Sequence, residues 1–160
     1  MTPHDIEPGL VVNKEAMREW VEALRSGTYM QGSGALRRQT IKGEKFCCLG
    51  VFCNVFEKSV DVKGCWEPLV PNFYTYDGNG YGLVHAFNEF LFPSTDDTYF
   101  EGVVRVWEHD PLQPCPAEWT VCGASCAVNV VDLNDDKGWT FNQIADALEW
   151  TYLREEADGH

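Results

Sequence analysis

The sequence predicts a single compact α+β domain, with about three to four helices packed on a small antiparallel sheet. Three observations carry this. Met17, Trp20, Val21 and Leu24 near one end, and Phe141, Ile144, Ala145 and Leu148 near the other, recur at helical spacing. Between them, Phe73-Tyr74-Thr75-Tyr76 and Tyr81-Gly82-Leu83-Val84 flank Asp77-Gly78-Asn79-Gly80, which reads as a hairpin. The 160 residues are enough to bury one core, and a hydrophobic content of 44% excludes a disordered chain.

Taken in order, residues 1–12 form a loosely ordered lead-in, because Pro3 and Pro8 break any helix. Asn13 then caps the first helix, Arg25 lies in its last turn, and Gly27 suits the left-handed position just past its end. Thr28–Met30 is a short extended piece. Gln31-Gly32-Ser33-Gly34 is a small-residue loop, Ala35–Ile41 a strand, and Gly43 marks a turn. From Cys47 or Cys48 onward, Leu49, Phe52, Cys53 and Phe56 predict a second helix. Gly50 inside it costs roughly 1 kcal/mol relative to Ala, so close approach of another backbone or a ligand is expected there.

His85–Phe92 reads as a short helix ended by Pro93, and Phe100–Trp107 as a buried strand or helix. Pro111, Pro114 and Pro116 make a rigid connector. Ala124–Leu133 fits a helix, or a strand given Val128, Val130 and Val131. Asn134–Gly138 is a turn. Thr140 and Gln143 form a capping box, with Trp139 and Ile144 placed as a hydrophobic staple. Residues 155–160 are a frayed tail. The expected core holds Trp20, Leu24, Leu49, Phe52, Phe56, Phe141, Ile144 and Leu148.

Net charge is −13, which argues against nucleic-acid binding. No apolar run approaches the ~20 residues of a membrane span. The start, MTPHDIEPGL, lacks a basic stretch leading into an apolar run, so no secretory signal is expected and the setting is a reducing cytoplasm. Seven cysteines, an odd number, then do not read as a disulfide framework, and most of them are expected to be buried small hydrophobes.

The average charge hides an island. Arg25, Arg37, Arg38, Lys42 and Lys45 face only Glu44 within residues 25–45, a window of +4, so the remainder carries −17. Such an island suits a small anionic, nucleotide-like ligand in a pocket. The alternative is that these cations pair with some of the 25 acidic residues at the surface.

For anion binding, Gly32, Ser33 and Gly34 offer consecutive backbone N–H groups, and Arg37 or Arg38 a bidentate contact to phosphate. Adjacent residues on a strand face opposite sides, so one arginine serves a given pocket. Tyr29, Trp66 or Tyr74 is placed to stack on a base. The expected ligand-binding set is Tyr29, Gln31, Ser33, Gly34, Arg37 and Arg38. No Walker-type or dinucleotide-binding spacing is present.

A competing set is a cysteine hydrolase. Cys48 near a helix start is the nucleophile, His85 the base and Asn134 or Asp135 its orienting partner, with Gln31 upstream as an oxyanion donor. Burial of Cys47, Cys48 and Cys53 in the core is the plain alternative. His109, Cys115, Cys122 and Cys126 have spacings that fit no common zinc site. Asp132, Asn134 and Asp136 open like a calcium loop, but Lys137 and Gln143 stand where Gly and Glu are required. No cofactor or metal is expected.

Three pieces, WVEALRSGTYMQGSGALR, FCCLGVFCNVF and DLNDDKGWTFNQIADALEW, resemble a widespread group of small bacteriophage accessory proteins. The shared positions are Trp20, Leu24 to Gly27, Tyr29, Gln31, Cys48 to Val51, Cys53, Leu133 to Asp135, Phe141, Ile144 and Ala145. They cover about a third of the chain; residues 58–122 lie outside them. The resemblance implies a phage origin, the host cytoplasm as setting and a role against host defence. It carries over no reaction. Sequestration of a nucleotide signal is one such role, and inhibition of a host protein without a small-molecule site is another. Six Trp, six Tyr and nine Phe exceed what one small core easily hides, which points to a homo-oligomer.

Overall fold

The computed structural model describes residues 11–68, 72–93, 104–108 and 127–153. Helix α1 (Lys14–Arg25) starts where Asn13 accepts from the Ala16 amide, and it ends at Ser26. Gly27 follows in the left-handed region, at φ 78°. Strands β1 (Met30–Gln31), β2 (Arg37–Thr40) and β3 (Gly43–Phe46) lead into α2 (Cys48–Phe56). Strands β4 (Gly64–Glu67) and β5 (Phe73–Tyr76) come next, then α3 (His85–Leu91). The described chain closes with β6 (Arg105–Trp107), β7 (Ala127–Asn129), α4 (Val130–Asp135) and α5 (Phe141–Leu148), which continues as a π-helical turn, Glu149–Leu153.

The α+β class holds, with five α-helices among the described residues instead of three to four. The main sheet has the order β1-β3-β2-β5-β4 and a second sheet pairs β6 with β7. The main sheet is mixed, not antiparallel throughout. Loop 32–36 reverses the chain so that β3 lies between β1 and β2, and β1 therefore runs parallel to β3.

One local expectation holds and one is corrected. Gly43 closes the two-residue turn Ile41-Lys42 as the partner of Thr40, at φ 121°, and opens β3. Residues 81–84 are not a strand. Asp77 and Gly78 do make a tight turn, at φ 51° and 85°, with Tyr76 and Asn79 exchanging amide-to-carbonyl bonds. After that single bridge the chain leaves. Both edges of β5 are already taken by β2 and β4, and Asn79 Oδ1 gathers the amides of Tyr81 and Gly82.

All eight expected core residues are buried. Helix α2 is apolar nearly all round, so it runs through the middle of the core, between α1 and α4. The Trp20 indole donates to the Cys48 carbonyl at 2.9 Å and meets Phe52 edge-on at 5.2 Å. Gly50 lies against the Leu36 carbonyl, as its place in a helix interior implied. The Thr140–Gln143 capping box is present. Of the stretch 124–133, which reads as helix or strand, the described part holds both β7 and the start of α4, which runs on through Asn134 and Asp135, expected as turn. Most aromatic side chains pack inward; Tyr81 is the exposed aromatic among the described residues.

Candidate functional site

The two arginines of β2 part company. Arg37 is the Cα partner of Phe46 and points to one face of the sheet. Its guanidinium sits 4.7 Å from the Tyr74 ring centre, 5.1 Å from Trp66 and 5.3 Å from Phe46, and Nε donates to Glu44. Only 16% of this side chain is exposed. Arg37 is therefore consumed in structure, and its place in the ligand-binding set is withdrawn. Tyr29 leaves the set too. Its hydroxyl donates to Asn54 Oδ1 at 2.8 Å and its ring packs edge-on against Phe46.

Arg38 alternates to the other face, where its Cα partner is Lys45. Both side chains line a cleft of about 430 Å³ at the end of β1. The other walls are Gln31 at the end of β1, Gly32, Ser33 and Ala35 from the loop after it, Asn134 from α4, and Gly138 and Trp139 from the α4–α5 connection. This volume lies in the range of small-molecule sites, roughly 300–1,000 Å³.

Gln31 and Asn134 tie the two halves of the cleft together. Gln31 Nε2 donates to Asn134 Oδ1 at 2.9 Å and to the Trp139 carbonyl at 2.7 Å. Asn134 Nδ2 donates to the Gly32 carbonyl at 2.9 Å and to Asp135 Oδ1 at 2.7 Å. Gly32 is required by space: a Cβ there would lie 2.8 Å from Lys45 Cβ. Its amide donates to the Phe46 carbonyl at 2.7 Å, so the expected three-amide cradle shrinks to Ser33 and Gly34. Those two amides have no acceptor among the described residues. Gly34 itself stands beside the cleft, with its carbonyl 3.5 Å from Arg38 Nη2, the outer limit of a hydrogen bond.

The rest of the positive island is partly spent. Arg25 pairs with Asp146 at 2.6 Å and Glu149 at 3.2 Å. Among the described residues no carboxylate pairs with Arg38 or Lys45. Lys45 belongs to the charge window, but no motif in the sequence assigns it to a site. The signal that could have found it is the two-residue loop at Ile41-Lys42, which sets Arg38 opposite Lys45. Trp139 likewise joins the cleft although its sequence signal is that of a staple residue.

A family model described as a domain of unknown function, DUF8296, matches residues 12–152. The chain belongs to the DUF8296 family. No curated protein and no solved structure matches it. Every residue lining the cleft lies inside the DUF8296 match.

In this DUF8296 chain the hydrolase set does not form a site. Cys48 is fully buried beneath α4, and its thiol lies 3.7 Å from the Val130 carbonyl. Burial raises that thiol well above its ordinary pKa, the reverse of what a nucleophile needs. The His85 side chain is 64% exposed and pairs with Glu89 one turn along α3. Asn134 is engaged by Gln31, Gly32 and Asp135. Cys47, not Cys48, caps α2, its sulfur accepting from the Gly50 amide at 3.4 Å. Asp132 and Asn134 sit in α4 instead of an open loop. The possible zinc ligands His109, Cys115, Cys122 and Cys126 lie outside the described residues.

Proposed function

We propose that this DUF8296 chain binds a small phosphorylated, nucleotide-like ligand in the Arg38–Lys45 cleft and does not turn it over. One observation carries the reading. Two cations are set directly opposite each other on one sheet face, with no carboxylate among the described residues to separate them. Like charges in that position destabilise a sheet unless an anion joins them. The amides of Ser33 and Gly34 add donors beside the pair, and Trp139 forms part of the cleft wall. The buried Cys48 thiol supports binding without covalent chemistry.

The resemblance to bacteriophage accessory proteins supports sequestration of a host nucleotide signal as the setting. The homo-oligomer draws little support from the described residues, since their aromatics mostly pack inward. Calorimetry with a panel of nucleoside phosphates, cyclic nucleotides and ADP-ribose-type ligands tests the function. Binding should be present in the parent and fall on the order of 30-fold or more in Arg38→Ala, as loss of a contact worth about 2–5 kcal/mol implies. Absence of binding across the panel would sink the proposal. A chemically altered ligand, with alteration lost in Cys48→Ala, would replace it with the hydrolase reading.

A further inference from the structure

Besides its charge, the cleft has in Gln31 a lining side chain of fixed orientation, whose role rests on the anion-binding function proposed for the same cleft. Gln31 has one carboxamide nitrogen, with two N–H bonds. Both are committed, one to Asn134 Oδ1 and one to the Trp139 carbonyl. A backbone carbonyl can only accept, so the amide cannot be turned over without setting oxygen against oxygen. Asn134 is held in turn by the Gly32 carbonyl and the Asp135 carboxylate, so its own orientation is fixed. The one Gln31 atom left over is Oε1. Nothing among the described residues donates to it, and it is not buried away from solvent. Gln31 is a wall of the cleft.

We infer that Gln31 presents Oε1 as a fixed hydrogen-bond acceptor that selects phosphorylated ligands carrying an exocyclic amino group, as on an adenine- or cytosine-type base. A free glutamine offers both a donor and an acceptor and takes adenine through two bonds. Here the donor half is occupied, so the site reads a single N–H. A keto edge, as on guanine or uracil at the equivalent position, sets acceptor against acceptor. The cation pair accounts for affinity toward any phosphate, and Gln31 accounts for choice among bases.

The test uses the full chain and two ligand pairs that differ by one amino group. These are adenosine 5′-monophosphate against purine riboside 5′-monophosphate, and cytidine 5′-monophosphate against its des-amino analogue. The amino member of at least one pair should bind on the order of 10- to 100-fold more tightly, the range expected when an acceptor that the bound ligand covers is left unpaired. In Gln31→Ala that preference should vanish while residual binding still depends on Arg38. Equal affinity within both pairs in the parent, with binding intact and lost in Arg38→Ala, overturns the Gln31 inference and leaves the anion site standing. A preference that survives Gln31→Ala also overturns it. If no nucleotide binds the parent, the anion reading fails and this falls with it. The parent comparison needs no variant, so a poorly folded Gln31→Ala does not protect the idea.

Discussion

Gly50 and Leu36 are in backbone contact: a Cβ on Gly50 would lie 1.7 Å from the Leu36 carbonyl oxygen and 2.6 Å from its carbon. That carbonyl cannot swing aside freely, because it also accepts from the Cys47 amide at 3.1 Å. The contact docks the start of α2 onto the segment leading into β2. Gly50→Ala should therefore be severely destabilising, although Ala is the better helix former. We expect a loss of at least about 3 kcal/mol, above the usual overpacking cost of ~1–3 kcal/mol. The urea midpoint, compared at unchanged slope, measures it.

The two arginines of β2 should separate cleanly in mutagenesis. Arg37→Ala removes three ring contacts and leaves Glu44 unpaired, so it should cost about 1–3 kcal/mol of stability. Arg38→Ala removes a like-charge neighbour of Lys45 and should raise stability by a few tenths, up to ~1 kcal/mol. Thermal unfolding distinguishes them. A stability loss in Arg38→Ala equal to that of Arg37→Ala would contradict the assigned roles.

Inorganic phosphate offers a check that needs no knowledge of the natural ligand. A ligand that binds only the folded state raises its melting temperature by mass action. Phosphate at millimolar levels should stabilise the parent, and the shift should shrink in Lys45→Ala and in Arg38→Ala. Chloride at matched ionic strength is the control, since general screening acts on all surface charge alike. An identical phosphate shift in all three proteins would count against the cleft.

Thiol chemistry and alkaline stability share one cause. Burial pushes Cys47 up to about 12 and raises Cys48 and Cys53 as well. Unfolded thiols ionise near about 8.5, so between that pH and 12 the unfolded chain releases protons that the folded chain keeps. The stabilising effect of the neutral buried thiols is complete below about pH 8.5 and declines as pH rises toward the folded values. Urea midpoints at pH 7 and pH 10 should fall in that order. Of Cys47, Cys48, Cys53 and Cys65, brief alkylation of the native protein should modify only Cys65, which is exposed. Peptide mapping showing early modification of Cys48 would revive it as a reactive group.

Thr140→Ala tests the clearest local signal. Its hydroxyl accepts from the Gln143 amide at 3.2 Å, and Gln143 Oε1 accepts from the Thr140 amide at 2.8 Å. Loss of one partner should cost about 1 kcal/mol, read as a lower melting temperature. The Trp139 carbonyl also holds Gln31, so a looser α5 start should weaken binding in the same variant.

The legible parts of this chain were those in which local chemistry decides. Asn13, Thr140 and the apolar stripes of α1, α2 and α5 act over one or two turns, and they stand as the sequence implied. The alternation of Arg37 and Arg38 was also readable, because strand geometry alone requires it. Choosing between them was not. That depended on Trp66 and Tyr74 arriving from β4 and β5 to enclose Arg37. The failed hairpin after Asn79 has the same origin: a sound turn signal was overruled by strands that pair with β5 from elsewhere. The hydrolase set fell because a helix start lowers a thiol pKa only when the thiol is near water, and Cys48 is not.

The Gln31–Asn134 bond joins residues 103 apart in sequence, and the bond to the Trp139 carbonyl spans 108. Synthesis runs from the N-terminus, so a nascent chain displays Arg38 and Lys45 on the ribosome long before Asn134 and Trp139 emerge. Until then Gln31 has no partner to orient it. On the proposed reading of the cleft, its cation pair would be in place early and the oriented Gln31 acceptor late. That reading then expects a chain stalled or cleaved ahead of α4 to lack any choice among bases, whatever affinity for phosphate it retains.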